Sequence, residues 1–251
     1  MKKKLIMTAL LVVLFPFSVN ACEKLAGSIS FMVGEVMVKS GEGEFVRADF
    51  KMNLFAGDIL ETEDESSCEI TMTDGSVIRM DAKSTLEVKI ADFSEKGRKI
   101  SIFARAGRLW FAARKAISRN DEFGVSTDKA VCAVRGTAFA VDAGNKATEI
   151  SVYSGKVATW AAIKAIKPPP SLSSAGASLA PTPLKAPSEV AGPVRISGPH
   201  PVTANEWVAI ISAMQRIRIG NKGGYSISDI KKEKMDAWVK WNIERDKKTK
   251  Q

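Results

Sequence analysis

Between Ile29 and Trp160 the apolar positions recur every second residue. Ile29, Phe31 and Val33 alternate with polar or small neighbours, as do Val36 and Val38, then Ile70 and Met72, with Val77 following across a turn. A period of two puts successive side chains on opposite faces, so these runs predict half-buried strands. Gly34, Gly57, Gly107, Gly124, Gly136, Gly144 and Gly155 punctuate them. Asp74-Gly75, between two runs, is a hairpin signal, because both central residues of a type I′ turn need positive φ. No helical period of useful length occurs in this stretch. The pattern predicts an all-β class, with short antiparallel strands forming a β-sandwich or a β-solenoid-like stack over residues 27–166.

The pattern changes after Ile166. Residues 167–203 hold every proline of the chain except Pro16, mixed with Ser, Ala and Gly, and predict a linker or long loop too poor in large apolar groups to pack. His200, the chain's one histidine, lies there between two prolines and has no partner with which to do acid–base work. Alternation resumes over 204–228, in Trp207-Val-Ala-Ile-Ile and Arg216-Ile-Arg-Ile, and predicts strands that return to the main sheet. Ser226-x-x-Asp229 has the form of a capping box, from which an amphipathic C-terminal α-helix over 229–246 is expected, then a basic tail at 247–251. Ile230, Ala237, Trp238 and Trp241 would share its apolar face, docked on the β domain or laid on a membrane surface.

The first 21 residues have the three parts of an export signal: Lys2 to Lys4, an apolar run from Leu5 to Phe15, and a short stretch ending in Val19-Asn20-Ala21. The run is too short to span a bilayer. Cys22 then stands where a lipoprotein carries its acylated cysteine, although Val-x-Ala equally suits ordinary signal cleavage. The chain is therefore expected to be exported, either to the periplasm or lipid-anchored to an envelope membrane. In that oxidising setting Cys68 and Cys132 are either buried inert thiols or a disulfide pair. They lack the spacing of a metal site.

Charge narrows the functions. The formal net charge is +9, from 37 Lys and Arg against 28 Asp and Glu. The excess sits in the export signal and beyond residue 166, leaving the central part close to neutral, which argues against nucleic acid. One central strip is basic without acidic interruption: Lys96, Arg98, Lys99, Arg105, Arg108, Arg114, Lys115 and Arg119. Arg105, Arg108, Arg114 and Lys115 are candidate contacts to an anionic surface such as phosphate-rich lipid or acidic glycan. There is no phosphate loop, no His-Glu-x-x-His and no nucleophile with an available base, so neither an enzyme nor a bound cofactor is expected.

The strongest signature is Thr127-x-x-Ala130-x-x-x-Val134-Arg135-Gly136-Thr137-x-Phe139-x-Val141. It follows Gly57-Asp58, Asp74-Gly75-Ser76 and Gly107-Arg-Leu-Trp110 in order. In this the chain resembles the FecR domain, a periplasmic sensing and signalling module, over residues 27–160. Trp238-x-x-Trp241-Asn242 is similar to the end of some FecR-like proteins. The resemblance implies a non-catalytic binding or scaffold module in envelope sensing or signalling, with an envelope protein or glycan as partner. The transmembrane FecR regulators carry a cytoplasmic anti-sigma segment before their span, and a signal beginning at residue 2 leaves no room for one. The other reading is a structural protein attached to peptidoglycan or anionic lipid. The signature itself reads as architecture: Gly136 permits a turn or close approach, Phe139 and Val141 share a face, Thr137 bonds back to the turn, and Arg135 caps carbonyls or pairs with a carboxylate.

Overall fold

The computed structural model describes residues 24–94, 97–162 and 208–249. The expected export signal, Cys22, Lys96, the Pro-rich stretch and His200 lie outside them.

Among the described residues, seventeen strands form two facing layers. The first sheet contains β1 (Leu25–Val33), β4 (Asn53–Phe55), β6 (Ser67–Met72), β7 (Val77–Met80), β12 (Ala138–Ala143), β13 (Ala147–Ser154), β16 (Gln215–Gly220) and β17 (Tyr225–Asp229). The second contains β2 (Val36–Lys39), β3 (Val46–Arg47), β5 (Ile59–Thr62), β8 (Ser84–Ser94), β10 (Glu122–Ser126), β11 (Ala130–Val134), β14 (Lys156–Ala161) and β15 (Val208–Ser212). The sixteen-residue β9 (Gly97–Ala112) belongs to both: its first half pairs with β8 and β10, its second with β7 and β12. The chain thus passes back and forth between layers. Every pairing is antiparallel except β9 with β10. The arrangement is not closed into a barrel.

One core lies between the layers. Ile70, Ile78, Phe111, Phe139 and Val152 face it from the first sheet, and Leu60, Leu86, Ile102, Val125 and Val157 from the second, all at most 1% exposed. Phe111 stacks on Phe139 within the first sheet and meets Phe123 of the second edge-on, with centroids 5.0 and 6.4 Å apart. β15 pairs with β14 and β16 with β13, so the segment after residue 207 extends both sheets.

The Asp74-Gly75 hairpin joins β6 to β7, but not through a type I′ turn. Only Gly75 has positive φ; the Asp74 carboxylate instead accepts the Ser76 amide and hydroxyl hydrogens at 2.8 Å each. That side-chain acceptor closes the loop locally, so a second left-handed residue is unnecessary.

The helix begins later than the capping box implied. Tyr225–Asp229 continues as β17, opposite Ile219 to Gln215, and a 3-10 turn follows at Lys232–Lys234. The helix, α1, spans Ala237–Thr249. Asp236 caps it, its Oδ1 accepting the Val239 amide hydrogen at 2.9 Å. Ile227 opposite Ile217 satisfies strand pairing there, so the local cap signal at Ser226 goes unused.

Candidate functional site: the seam between helix and first sheet

The first sheet has a second, outer face, and α1 lies on it. Register aligns Phe31, Glu69, Arg79, Trp110, Ala140, Ser151 and Arg216 as successive partners across β1, β6, β7, β9, β12, β13 and β16. Along this row charge and aromatic surface stand where a solvated sheet would carry ordinary polar residues. The helix covers its middle: Val239, Asn242 and Asp246 are buried, and Trp238 and Ile243 pack beside Trp110 and Tyr153 in a small separate core. Trp110 stacks on Tyr153 with centroids 4.9 Å apart and meets Trp238 edge-on at 6.1 Å. The expected apolar stripe is therefore turned, and Trp241 stays 39% exposed.

Arg79 is the centre of this seam. Its side chain is 2% exposed, and it donates through Nε to Glu69 at 2.6 Å and through Nη1 to Asp246 at 2.6 Å and Asn242 at 3.2 Å. Asp246 also accepts the Trp110 indole hydrogen at 3.0 Å. From the helix, Arg245 grips Glu69 with two bonds of 2.6 and 3.1 Å, and Ser30 adds its hydroxyl. Two guanidiniums and two carboxylates thus join β6, β7 and β9 to α1. No buried side-chain nitrogen or oxygen among the described residues lacks a partner. At the helix start, Arg108 pairs with Asp236 and lies 4.4 Å from the Trp238 ring centroid.

Burial opposes ionisation of Glu69, but hydrogen bonds from Arg245 and Arg79, and their charges, outweigh it and hold the carboxyl down at about 2 from an ordinary 4.5. A depressed folded pKa contributes stability that is complete above about pH 4.5 and lost as pH falls toward 2. Urea titrations at pH 6, 4 and 3 should show the wild type losing stability faster than Glu69→Gln as pH falls. Parallel losses would exclude Glu69 as a source of acid sensitivity.

The signature residues build turns. Thr127 Oγ1 accepts the amide hydrogens of Lys129 at 3.1 Å and Ala130 at 3.0 Å and shares a 2.9 Å hydrogen bond with Thr148. Gly136 has φ +68°, and a Cβ there would come within 3.0 Å of Lys115 Cα. Thr137 donates to the Lys156 carbonyl at 3.0 Å, while Val134 and Phe139 are buried in the core. Arg135 is exposed and donates to the Arg119 carbonyl at 3.3 Å. These residues lie in β11, β12 and the turns that flank them, and Gly136 and Thr137 line a shallow pocket together with Asp246 of the seam.

Cys68 and Cys132 are both free and buried, which is the first of the two alternatives their sequence left open; they are not bridged. Cys68 is on β6 of the first sheet and Cys132 on β11 of the second, each packed into the core. Burial, joined for Cys68 by the Glu69 charge, pushes both thiols up to about 12, which makes them unreactive as nucleophiles.

The basic strip does not gather into an anion-binding patch. Arg105 pairs with Glu87 on the second sheet, whereas Arg108 joins Asp236 on the opposite side of the molecule. Arg114 donates to the Asp74 carbonyl at 3.0 Å, and Lys115 packs against Gly136 while its carbonyl accepts from Arg98. Arg98 itself bridges Asp74 and Asp121. Asp121 is held well below the usual carboxylate range by the amide hydrogens of Arg98, Ser118 and Ile117. β9 turns between sheets, so arginines close in sequence point to different carboxylates.

Of the residues that make the seam, Trp110, Trp238 and Asn242 stand in stretches that carry the family resemblance, whereas the sequence shows no pairing for Glu69, Arg79, Arg245 and Asp246. Arg79 offered a signal: a lone charge among the apolar residues of Val77–Met80 needs an opposite charge once the strand is buried. Arg245 and Asp246 offered none without knowledge of where α1 docks.

Residues 58–158, from Asp58 through the signature to β14, match the family model described as FecR protein. Over that segment the chain is similar to the FecR family. Arg79 and Trp110 lie within that matched segment, while the helix that covers them lies beyond it. No curated protein matches the chain. Two crystal structures of a protein from Parabacteroides distasonis ATCC 8503, provisionally described as an anti-sigma factor, are similar at 17% identity with a TM-score of 0.46. The alignment covers 72% of this chain, which spans 64% and 63% of the lengths of those two chains. No helix among the described residues is long and apolar enough to cross a membrane.

Proposed function

We propose that this FecR-like domain is an exported, non-catalytic binding module that acts in signalling at the cell envelope, with an envelope protein as its partner. The observation that carries the reading is the helix-covered outer face of the first sheet. A FecR-like segment supplies Glu69, Arg79 and Trp110, and a helix outside that segment is held on them by matched charges. Such a surface is built for recognising polypeptide, with aromatic anchors and a central desolvated ion pair. The charged side chains at the seam satisfy one another, which suits a scaffold better than a reacting centre. The dispersal of Arg105, Arg108 and Arg114 among internal partners weighs against attachment through a basic face.

The test is retrieval from intact envelope with the tagged, full-length chain, followed by identification of what is retained. Retention of a defined protein, insensitive to moderate salt, is expected. Recovery of anionic lipid or peptidoglycan alone, abolished by salt, would overturn the reading.

A further inference from the structure

A cavity of about 540 Å³ opens beside α1, between the helix, the 3-10 turn and the outer face of the first sheet. Its floor is apolar: Tyr153, stacked over the fully buried Trp110, lies at its base, with Met214, Met235 and Ile243 around it. Its rim is basic. Lys232, Lys240 and Lys247 line the opening, and none of the three is in an ion pair among the described residues. Of the two carboxylates present, Asp246 is already consumed by Arg79 and Trp110, leaving Glu244 against three ammonium groups.

Met214 adds an independent observation. It is a non-glycine residue at φ +65°, a conformation unfavourable for an L side chain, in the turn between β15 and β16. Its backbone is fixed on both sides, the amide donating to the Val152 carbonyl at 2.8 Å and the carbonyl accepting from Ile230 at 2.7 Å. Glycine would suit that turn better. The side chain retained there lines the cavity.

We infer that this cavity binds a small amphiphilic anion, its apolar body against Tyr153, Met214, Met235 and Ile243 and its acidic head among Lys232, Lys240 and Lys247. The volume falls in the ordinary range for small-molecule sites, and the lining has their usual composition of apolar walls with a few convergent polar groups. A neutral apolar ligand would leave the lysine rim unused, and a cationic one would meet it unfavourably. The inference does not depend on which envelope partner the domain has, because it concerns the isolated chain.

The test uses dodecanoate and dodecyl phosphate as probes at monomeric concentrations, with dodecanol and dodecyltrimethylammonium as controls. Binding is followed through the methionine methyl resonances of the full chain. Met214 and Met235 should shift with both anions while Met72 and Met80, in the core, stay in place. Exchanging Lys240 and Lys247 together for Glu should weaken both anions by about tenfold or more. Met214→Gly should weaken them while leaving the melting temperature equal or higher, which separates loss of the site from loss of the fold. A preference for dodecyl phosphate would point to a phospholipid-like head, and a preference for dodecanoate to a free carboxylate. Equal binding of dodecyltrimethylammonium, or anion affinity unchanged in both variants, would overturn the inference.

Discussion

Replacing Arg79 with Leu should cost roughly 3–5 kcal/mol of folding stability, the range for removing one member of a buried ion pair. The expectation rests on what is left behind. Glu69 and Asp246 both accept from this guanidinium at 2.6 Å, and neither is more than 10% exposed. Without Arg79, Asp246 keeps only the Trp110 indole hydrogen, and a carboxylate is stranded under the helix. Glu69 fares better, because Arg245 still reaches it with two bonds. The loss should therefore concentrate at the C-terminal end of α1. For a domain of this size it corresponds to a fall in melting temperature of about 2–4 °C per kcal/mol. Adding Asp246→Asn to Arg79→Leu should recover part of it, since the amide removes the unpaired charge. Thermal melts and limited proteolysis of α1 check both steps; a double variant less stable than Arg79→Leu would show that Asp246 carries no unpaired charge in the single one.

The layering of the fold was legible because a strand declares its two faces by alternation. Ile29, Ile70, Phe139 and Val141 read inward from their spacing alone, and all are buried. The signature from Thr127 to Phe139 was likewise readable as turn architecture, and its hydroxyls cap amides and carbonyls as that reading requires. What alternation does not convey is which outer face acquires a cover. Glu69, Arg79 and Trp110 occupy outward positions, and only pairing across separate strands sets them in one row. The helix onset failed for a related reason: Ser226 and Asp229 have the cap chemistry, but Ile217 and Ile219 of β16 make strand pairing more favourable for that segment. The basic strip misled because proximity along β9 is not proximity in space once the strand changes sheets.

Gly107 is where that change occurs, and Gly107→Ala should be among the most damaging single substitutions in the domain. The residue ends the half of β9 paired in the second sheet and begins the half paired with β12, opposite Ala143. Its φ of +81° is one that an L side chain rarely adopts. A Cβ there would lie 2.5 Å from both the Lys83 carbonyl oxygen and Ser84 Cα, atoms of the backbone that opens β8, so no side-chain rotation relieves it. The Ser84 hydroxyl, closer still to the same point, donates to the Arg108 carbonyl and accepts its amide hydrogen, and would be pushed off both. Strain of roughly 1–3 kcal/mol from the dihedral and a similar amount from overpacking add at one corner. The expected result is a drop of about 2–5 kcal/mol, or loss of soluble protein on expression. Gly124→Ala, placed in β10 where a Cβ would meet nothing closer than 3.7 Å, is the control and should leave the melting temperature nearly unchanged. If the two variants melt alike, β9 does not need a left-handed corner to pass between the sheets.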